Sequence, residues 1–82
     1  MERRIGTVII EINNRTAAPR VNEIISRHSR IIIGRLGLPR SDSRSLISLV
    51  LEGTTDEIGS LTGQLGRLED IEVKSALLAG SR

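Results

Sequence analysis

The chain has 82 residues, 38% of them hydrophobic, with no Phe, Trp, Tyr or Cys and a formal net charge of +2. That length is enough for one domain, expected to span residues 1–82 and to bury about 60% of the surface its unfolded chain exposes. The composition excludes disulfides and Cys-based zinc or iron–sulfur sites, removes the aromatic platforms on which nucleic-acid bases stack, and leaves His28 alone, without a partner His for a transition metal.

The first strand is predicted over residues 4–12, where Val8, Ile9, Ile10 and Ile12 supply the β-branched side chains that suit a pleated surface. Alternation puts Val8, Ile10 and Ile12 on one face and Ile5 and Ile9 on the other, so neither face is polar. Asn13, Asn14, Arg15 and Thr16 form a polar turn. A helix follows over about residues 17–28, with Thr16 as its expected N-cap and Pro19 in the first turn, where a missing N–H costs least. Val21, Ile24, Ile25 and His28 recur at i, i+3, i+4, i+7, the single apolar stripe of a helix lying on a core.

The second strand is predicted over residues 31–38, beginning with Ile31, Ile32 and Ile33, and a polar connector from Pro39 to Arg44 leads to a third strand over residues 45–52. In that strand Leu46, Leu49, Val50 and Leu51 again leave neither face polar. The second helix has the clearest start in the chain. Thr54 and Glu57 stand at capping-box spacing, Asp56 and Glu57 lie where the helix dipole favours negative charge, and Ile58, Leu61, Leu65 and Leu68 form the stripe. The last strand, residues 71–78, sets Ile71, Val73 and Ser75 against Glu72, Lys74 and Ala76, and the tail from Ala79 is expected to fray.

The order β-α-β-β-α-β defines an α+β, ferredoxin-like sandwich, a four-stranded antiparallel sheet with two helices on one face. The two strands apolar on both sides are then central, and the second and fourth are edges. Two helices cover one sheet face only. Apolar residues on the other face mark an interaction surface, with Ile5, Ile9, Leu46 and Leu49 as the expected interface residues. A homo-oligomer, dimer or tetramer, is therefore expected, built on a symmetric pair.

The cations are arginines except for Lys74, and they are scattered among acids from Arg3 to Arg82 rather than gathered in a basic stripe, so nucleic acid is not the expected partner. No apolar run approaches a membrane span and no secretory core precedes the first strand, which places the chain in the cytoplasm as an expectation.

The motifs offer little chemistry. Gly59, Gly63 and Gly66 interrupt the second helix, each costing about 1 kcal/mol relative to Ala. Close packing against a neighbouring element is the first explanation, and an approach surface for a ligand or subunit the second. Gly34 and Gly37 flank Arg35 and Leu36 in a stretch that is neither a P-loop nor a dinucleotide fingerprint, so it reads as a bulged edge strand whose glycines permit unusual dihedrals. Arg35 beside them is able to present its guanidinium to an anion. His28 reads as a half-buried packing residue or dipole partner at a helix C-terminus. Asn13, Asn14 and Arg15, ahead of a helix N-terminus, are candidate effector contacts. Arg40, Asp42 and Arg44 read as a solvated loop. No nucleophile–base pair is visible, so no catalytic residue, metal or cofactor is expected.

Several stretches resemble the family of iron-only hydrogenase system regulators. They are Val21 to Ile25, Gly34 to Pro39, the long run Thr55 to Gly66, and Val73-Lys74, which together draw on nearly the whole chain. The resemblance implies an ACT-like domain similar to the ligand-sensing half of the nickel-responsive regulator, associating through strands and helices and binding a small effector at subunit interfaces. The His/Cys metal site of that regulator has no counterpart here, so nickel sensing is not carried over. No length is left for a ribbon-helix-helix arm, which argues against direct operator binding. The expected function is a non-enzymatic regulatory module that senses a small, unidentified ligand near Asn13 to Thr16 or near Arg35 and Gly37. The alternatives are a structural protein-interaction oligomer without a ligand and, less favoured, a direct DNA-binding regulator.

Overall fold

A computed structural model describes residues 2–81. Its regular elements are β1 (Arg4–Ile12), α1 (Ala18–Arg27), β2 (Ile32–Pro39), β3 (Ser45–Gly53), α2 (Thr55–Gly66) and β4 (Ile71–Ser81). Short 3-10 turns, Arg15–Ala17 and Ser29–Ile31, flank α1. The strands form one antiparallel sheet in the order β2-β3-β1-β4. The two strands apolar on both faces are the central ones, as the sequence requires.

One face of the sheet carries both helices. Val8, Ile10 and Ile12 of β1 and Ile47, Leu49 and Leu51 of β3 point into it and are buried. They meet Val21, Ile24 and Ile25 of α1 and Ile58, Leu61 and Leu65 of α2. Burying each large aliphatic side chain is worth about 1.5–3 kcal/mol, so this single layer holds the fold together.

Local chemistry explains most element ends. The capping box forms as the spacing requires: the Glu57 backbone N–H donates to Thr54 Oγ1 at 3.1 Å, and the Thr54 backbone N–H donates to Glu57 Oε1 at 2.8 Å. That second bond holds the Glu57 carboxyl below its ordinary range, with the Thr54 hydroxyl and the charges of Arg3 and Arg30 adding to the effect. The first helix begins differently from expectation. Thr16 is not its N-cap. Asn14 Oδ1 instead accepts from the backbone N–H and the hydroxyl of Thr16, both at 3.0 Å, and caps the 3-10 turn that feeds α1.

Ile31 does not open the second strand but turns inward and is buried at the sheet edge. A Cβ on Gly53 would lie 2.9 Å from its Cγ2, so glycine ends β3 where Ile31 needs the space. The expected bulge in β2 is present between Ile32 and Gly34, leaving Ile33 exposed. No glycine among the described residues has a positive φ, so unusual dihedrals do not explain Gly34 or Gly37. The left-handed positions belong to Ser43 and Asp70, in the turns before β3 and β4. β4 continues past Ala79 to Ser81, with a bulge opposite β1 between Arg4 and Gly6, while Arg82 lies outside the described residues. Arg4 ties that bulge, donating Nε and Nη2 to the Leu78 carbonyl at 3.1 and 2.6 Å. At Gly6 a Cβ would lie 2.7 Å from the Ala76 carbonyl oxygen, so only glycine admits this approach.

Candidate functional site

The second face of the sheet has no helix over it. Register places its side chains in cross-strand rows: Leu38, Leu46, Glu11 and Glu72; then Leu36, Ser48, Ile9 and Lys74; then Gly34, Val50, Thr7 and Ala76. Ile9, Leu36, Leu38 and Val50 are between 41 and 56% exposed. Ile5 and Leu46 are half-buried on the same side. Leu49 is not part of this surface. It is completely buried beneath the helices, because it lies an odd number of residues from Leu46 and a strand turns such positions to opposite faces. The β3 residue that takes its place on the open face is Val50.

Two shallow depressions mark this face. One of about 200 Å³ is lined by Ile9, Glu11, Leu46, Glu72 and Lys74. The other, about 240 Å³, lies among Ile5, Thr7, Ala76 and Leu78. Glu11 and Glu72 stand directly opposite each other, an unfavourable like-charge pair. Arg44 Nη1 relieves it from 3.6 Å. The same guanidinium grips Asp42 through Nε and Nη2 at 2.8 and 2.6 Å, which lowers the Asp42 carboxyl and raises Arg44. The loop arginine is therefore committed within the chain.

The expected effector residues are not gathered into one cleft. Arg35 lies on the helix-facing side of the β2 edge and donates Nη2 to Asn22 Oδ1 of α1 at 2.9 Å. Gly37 is opposite Ile47 on the same edge, with open space around it. Asn13, Asn14 and Arg15 occupy the turn after β1, where Asn14 is spent on its cap and the Asn13 backbone N–H donates to the Asp70 carbonyl at 2.8 Å.

A larger concavity lies elsewhere, between the outer surfaces of α1 and α2. It has a volume of about 500 Å³ and is lined by Arg20, Ile24 and Arg27 of α1 and by Gly59, Ser60, Gln64, Arg67 and Leu68 on the α2 side. Its walls are positive because Arg20 and Arg27 share one carboxylate, Glu23, at 3.8 and 3.1 Å. Arg67 makes no ion pair among the described residues. The α2 glycines are not there for packing: a Cβ at Gly59, Gly63 or Gly66 would meet nothing within 4 Å. Gly59 instead leaves the groove open.

Ser60, which lines this groove, also belongs to a pair that sequence spacing did not reveal. His28 Nδ1 is 2.7 Å from the Ile24 carbonyl, and its Nε2 is 3.1 Å from Ser60 Oγ. A carbonyl can only accept, so Nδ1 donates to it, and in the neutral ring Nε2 accepts from the Ser60 hydroxyl. Gln64 Nε2 donates to the same hydroxyl oxygen at 3.0 Å. The residues are 32 apart, so only helix packing brings His and Ser together. The pair is a tie between helices. Ser60 sits inside α2, where neighbouring backbone N–H groups are spent on helix bonds and form no oxyanion hole. Among the described residues no group of three or more His, Asp or Glu side chains is arranged to hold a metal ion, and no helix is long and apolar enough to cross a membrane.

A four-stranded antiparallel sheet in the order β2-β3-β1-β4 with both helices on one face is the ACT-like, ferredoxin-like architecture. Solved structures agree. The chain is similar to an ACT domain from the GTP pyrophosphokinase of Chlorobium tepidum, with a TM-score of 0.73 at 15% identity over 93% of this chain and 100% of that one. It is also similar to a nitrogen regulatory PII-like protein from Thiomonas intermedia, with a TM-score of 0.57 at 11% identity over 98% and 94% of the two chains. At these identities the likeness is one of fold.

The family follows from closer matches. Residues 4–75 match the family described as "TM1266-like: Iron-only hydrogenase system regulator, putative". The uncharacterized protein TM1266 from Thermotoga maritima is 33% identical over 94% of this chain and 99% of its own, with a TM-score of 0.88. The chain belongs to this TM1266-like family. No curated protein matches it.

Proposed function

We propose that the protein is a ligand-responsive regulatory module of an iron-only hydrogenase system, working as a symmetric homo-oligomer assembled through the open face of its sheet. The observation that carries this reading is the face itself, with Ile9, Leu36, Leu38 and Val50 exposed in adjacent rows. An antiparallel sheet with one solvated face normally alternates apolar and polar residues cleanly, and this one does not.

The dimensions support a pair. Four strands about 4.8 Å apart and about 30 Å long present a face of about 500 Å². Two such faces bury about 1,000 Å² together, the lower bound for a specific interface. Charge supports it as well. A twofold axis that sets Lys74 of one copy near Glu11 and Glu72 of the other answers the like-charge pair on each.

Sedimentation velocity across micromolar concentrations tests the assembly: a dimer or larger species is expected, and a monomer throughout overturns it. A thermal-shift screen of small metabolites tests the response. A compound that raises the melting temperature and changes the oligomer distribution is expected, because binding only the native state stabilises it.

A further inference from the structure

The geometry points to the groove between α1 and α2 as a binding site for a small phosphorylated ligand, separate from the open sheet face. Three guanidinium groups, Arg20, Arg27 and Arg67, line a concavity of about 500 Å³. That volume falls within the range of small-molecule sites, about 300–1,000 Å³. The charge is not neutralised locally. Glu23 is the one carboxylate paired with these arginines among the described residues, at 3.8 and 3.1 Å, and both contacts are on exposed side chains. Exposed pairs of this kind exchange readily for a better acceptor. A phosphate group is that acceptor, since its oxygens match the planar donor fork of arginine. The chain carries a net charge of only +2, so three arginines around a concavity with no carboxylate in its lining are a local concentration of charge.

Two further features fit the same ligand. Gly59 forms part of the wall, and a Cβ there would meet nothing within 4 Å, so the glycine preserves empty space rather than a helix contact. Ser60 and Gln64 give the floor neutral polar groups, held in place by the His28 bond. The absence of aromatic residues leaves no stacking platform for a base, so the phosphate carries the recognition.

This inference rests on reading the chain as a ligand-responsive module and names the ligand class and its place. The two are tested apart, because binding is measured directly and assembly is not the readout. Isothermal titration calorimetry with inorganic pyrophosphate, at low salt and pH 7.5, is expected to show one site per chain that weakens as salt rises. Arg67→Gln, an exposed substitution, is expected to weaken it at least tenfold. Gly59→Glu, which sets a carboxylate in open space, is expected to abolish it. Gly63→Ala, outside the groove, is expected to retain it.

Absence of binding at millimolar pyrophosphate overturns the inference, as does binding that Arg67→Gln leaves unchanged. Preferential binding of a short DNA duplex at equal phosphate concentration overturns it in favour of nucleic acid. Pyrophosphate binding that leaves the oligomer distribution unchanged supports the site and counts against the regulatory reading alone.

Discussion

The two faces of the sheet are built from the same strands, residue by residue in alternation, yet they have opposite fates. On the covered face Val8, Ile10, Leu49 and Leu51 lose all contact with solvent. On the open face their immediate neighbours Ile9 and Val50 keep 49 and 41% of theirs. Both faces carry Ile, Val and Leu, although the open one also holds Thr7, Glu11, Ser48, Glu72 and Lys74. What distinguishes them is that the chain supplies two helices to one side. The covered face spends its apolar surface on folding, and the open face leaves part of it in solvent.

The sharpest test of that contrast is a pair of adjacent truncations. Leu49→Ala is expected to cost about 2–5 kcal/mol in urea unfolding, since it leaves a cavity under both helices. Val50→Ala, its neighbour, is expected to stay within about 1 kcal/mol under conditions where the protein is monomeric. Equal losses would break the comparison.

Next in size is Val50→Lys. It places a charge opposite Thr7 and Gly34 on the open face. It is expected to weaken self-association about a hundredfold, equivalent to about 2.7 kcal/mol, with an unchanged circular dichroism spectrum. Sedimentation at several concentrations reads the shift. Thr54→Ala removes the hydroxyl cap of α2, the lid over half the covered face, and is expected to cost about 1 kcal/mol of unfolding free energy.

The pH dependence isolates the other half of the same cap. The Glu57 carboxyl is held below its ordinary value of 4.5 by the Thr54 backbone N–H. A lowered folded value means that the stabilisation is complete above the ordinary value and is lost as pH falls through the folded one. Wild type is thus expected to lose stability on acidification below about pH 4.5 more steeply than Glu57→Gln. Parallel acid limbs in urea melts would refute this. The smallest effect expected is at Ser43, whose φ of 73° suits glycine. Ser43→Gly is expected to raise stability by a few tenths of a kcal/mol, visible as a small increase in melting temperature.

Much of this architecture was legible from local pattern. The capping box at Thr54 and Glu57, the stripes on both helices and the central placement of the first and third strands all follow from residue spacing. Alternation alone also suffices to separate Leu46 from Leu49, because strand positions three apart point to opposite faces. The start of α1 was less legible, because Asn14 and Thr16 are both good caps and only the 3-10 turn decides between them. The arginine groove was not legible at all. Arg20 and Arg27 share a face of α1 at i, i+7, but Arg67 stands at the end of the other helix and no spacing rule brings it to them.

The sequence by itself determined the element order, the helix stripes and the two apolar aspects of each central strand, because these depend on periodicity over a few residues. Only the tertiary structure decided which aspect is buried, that the α2 glycines border open space instead of a packed neighbour, and that His28 meets Ser60 across the helices. Those outcomes depend on where helices settle on a sheet, a matter of contacts between residues far apart in the chain.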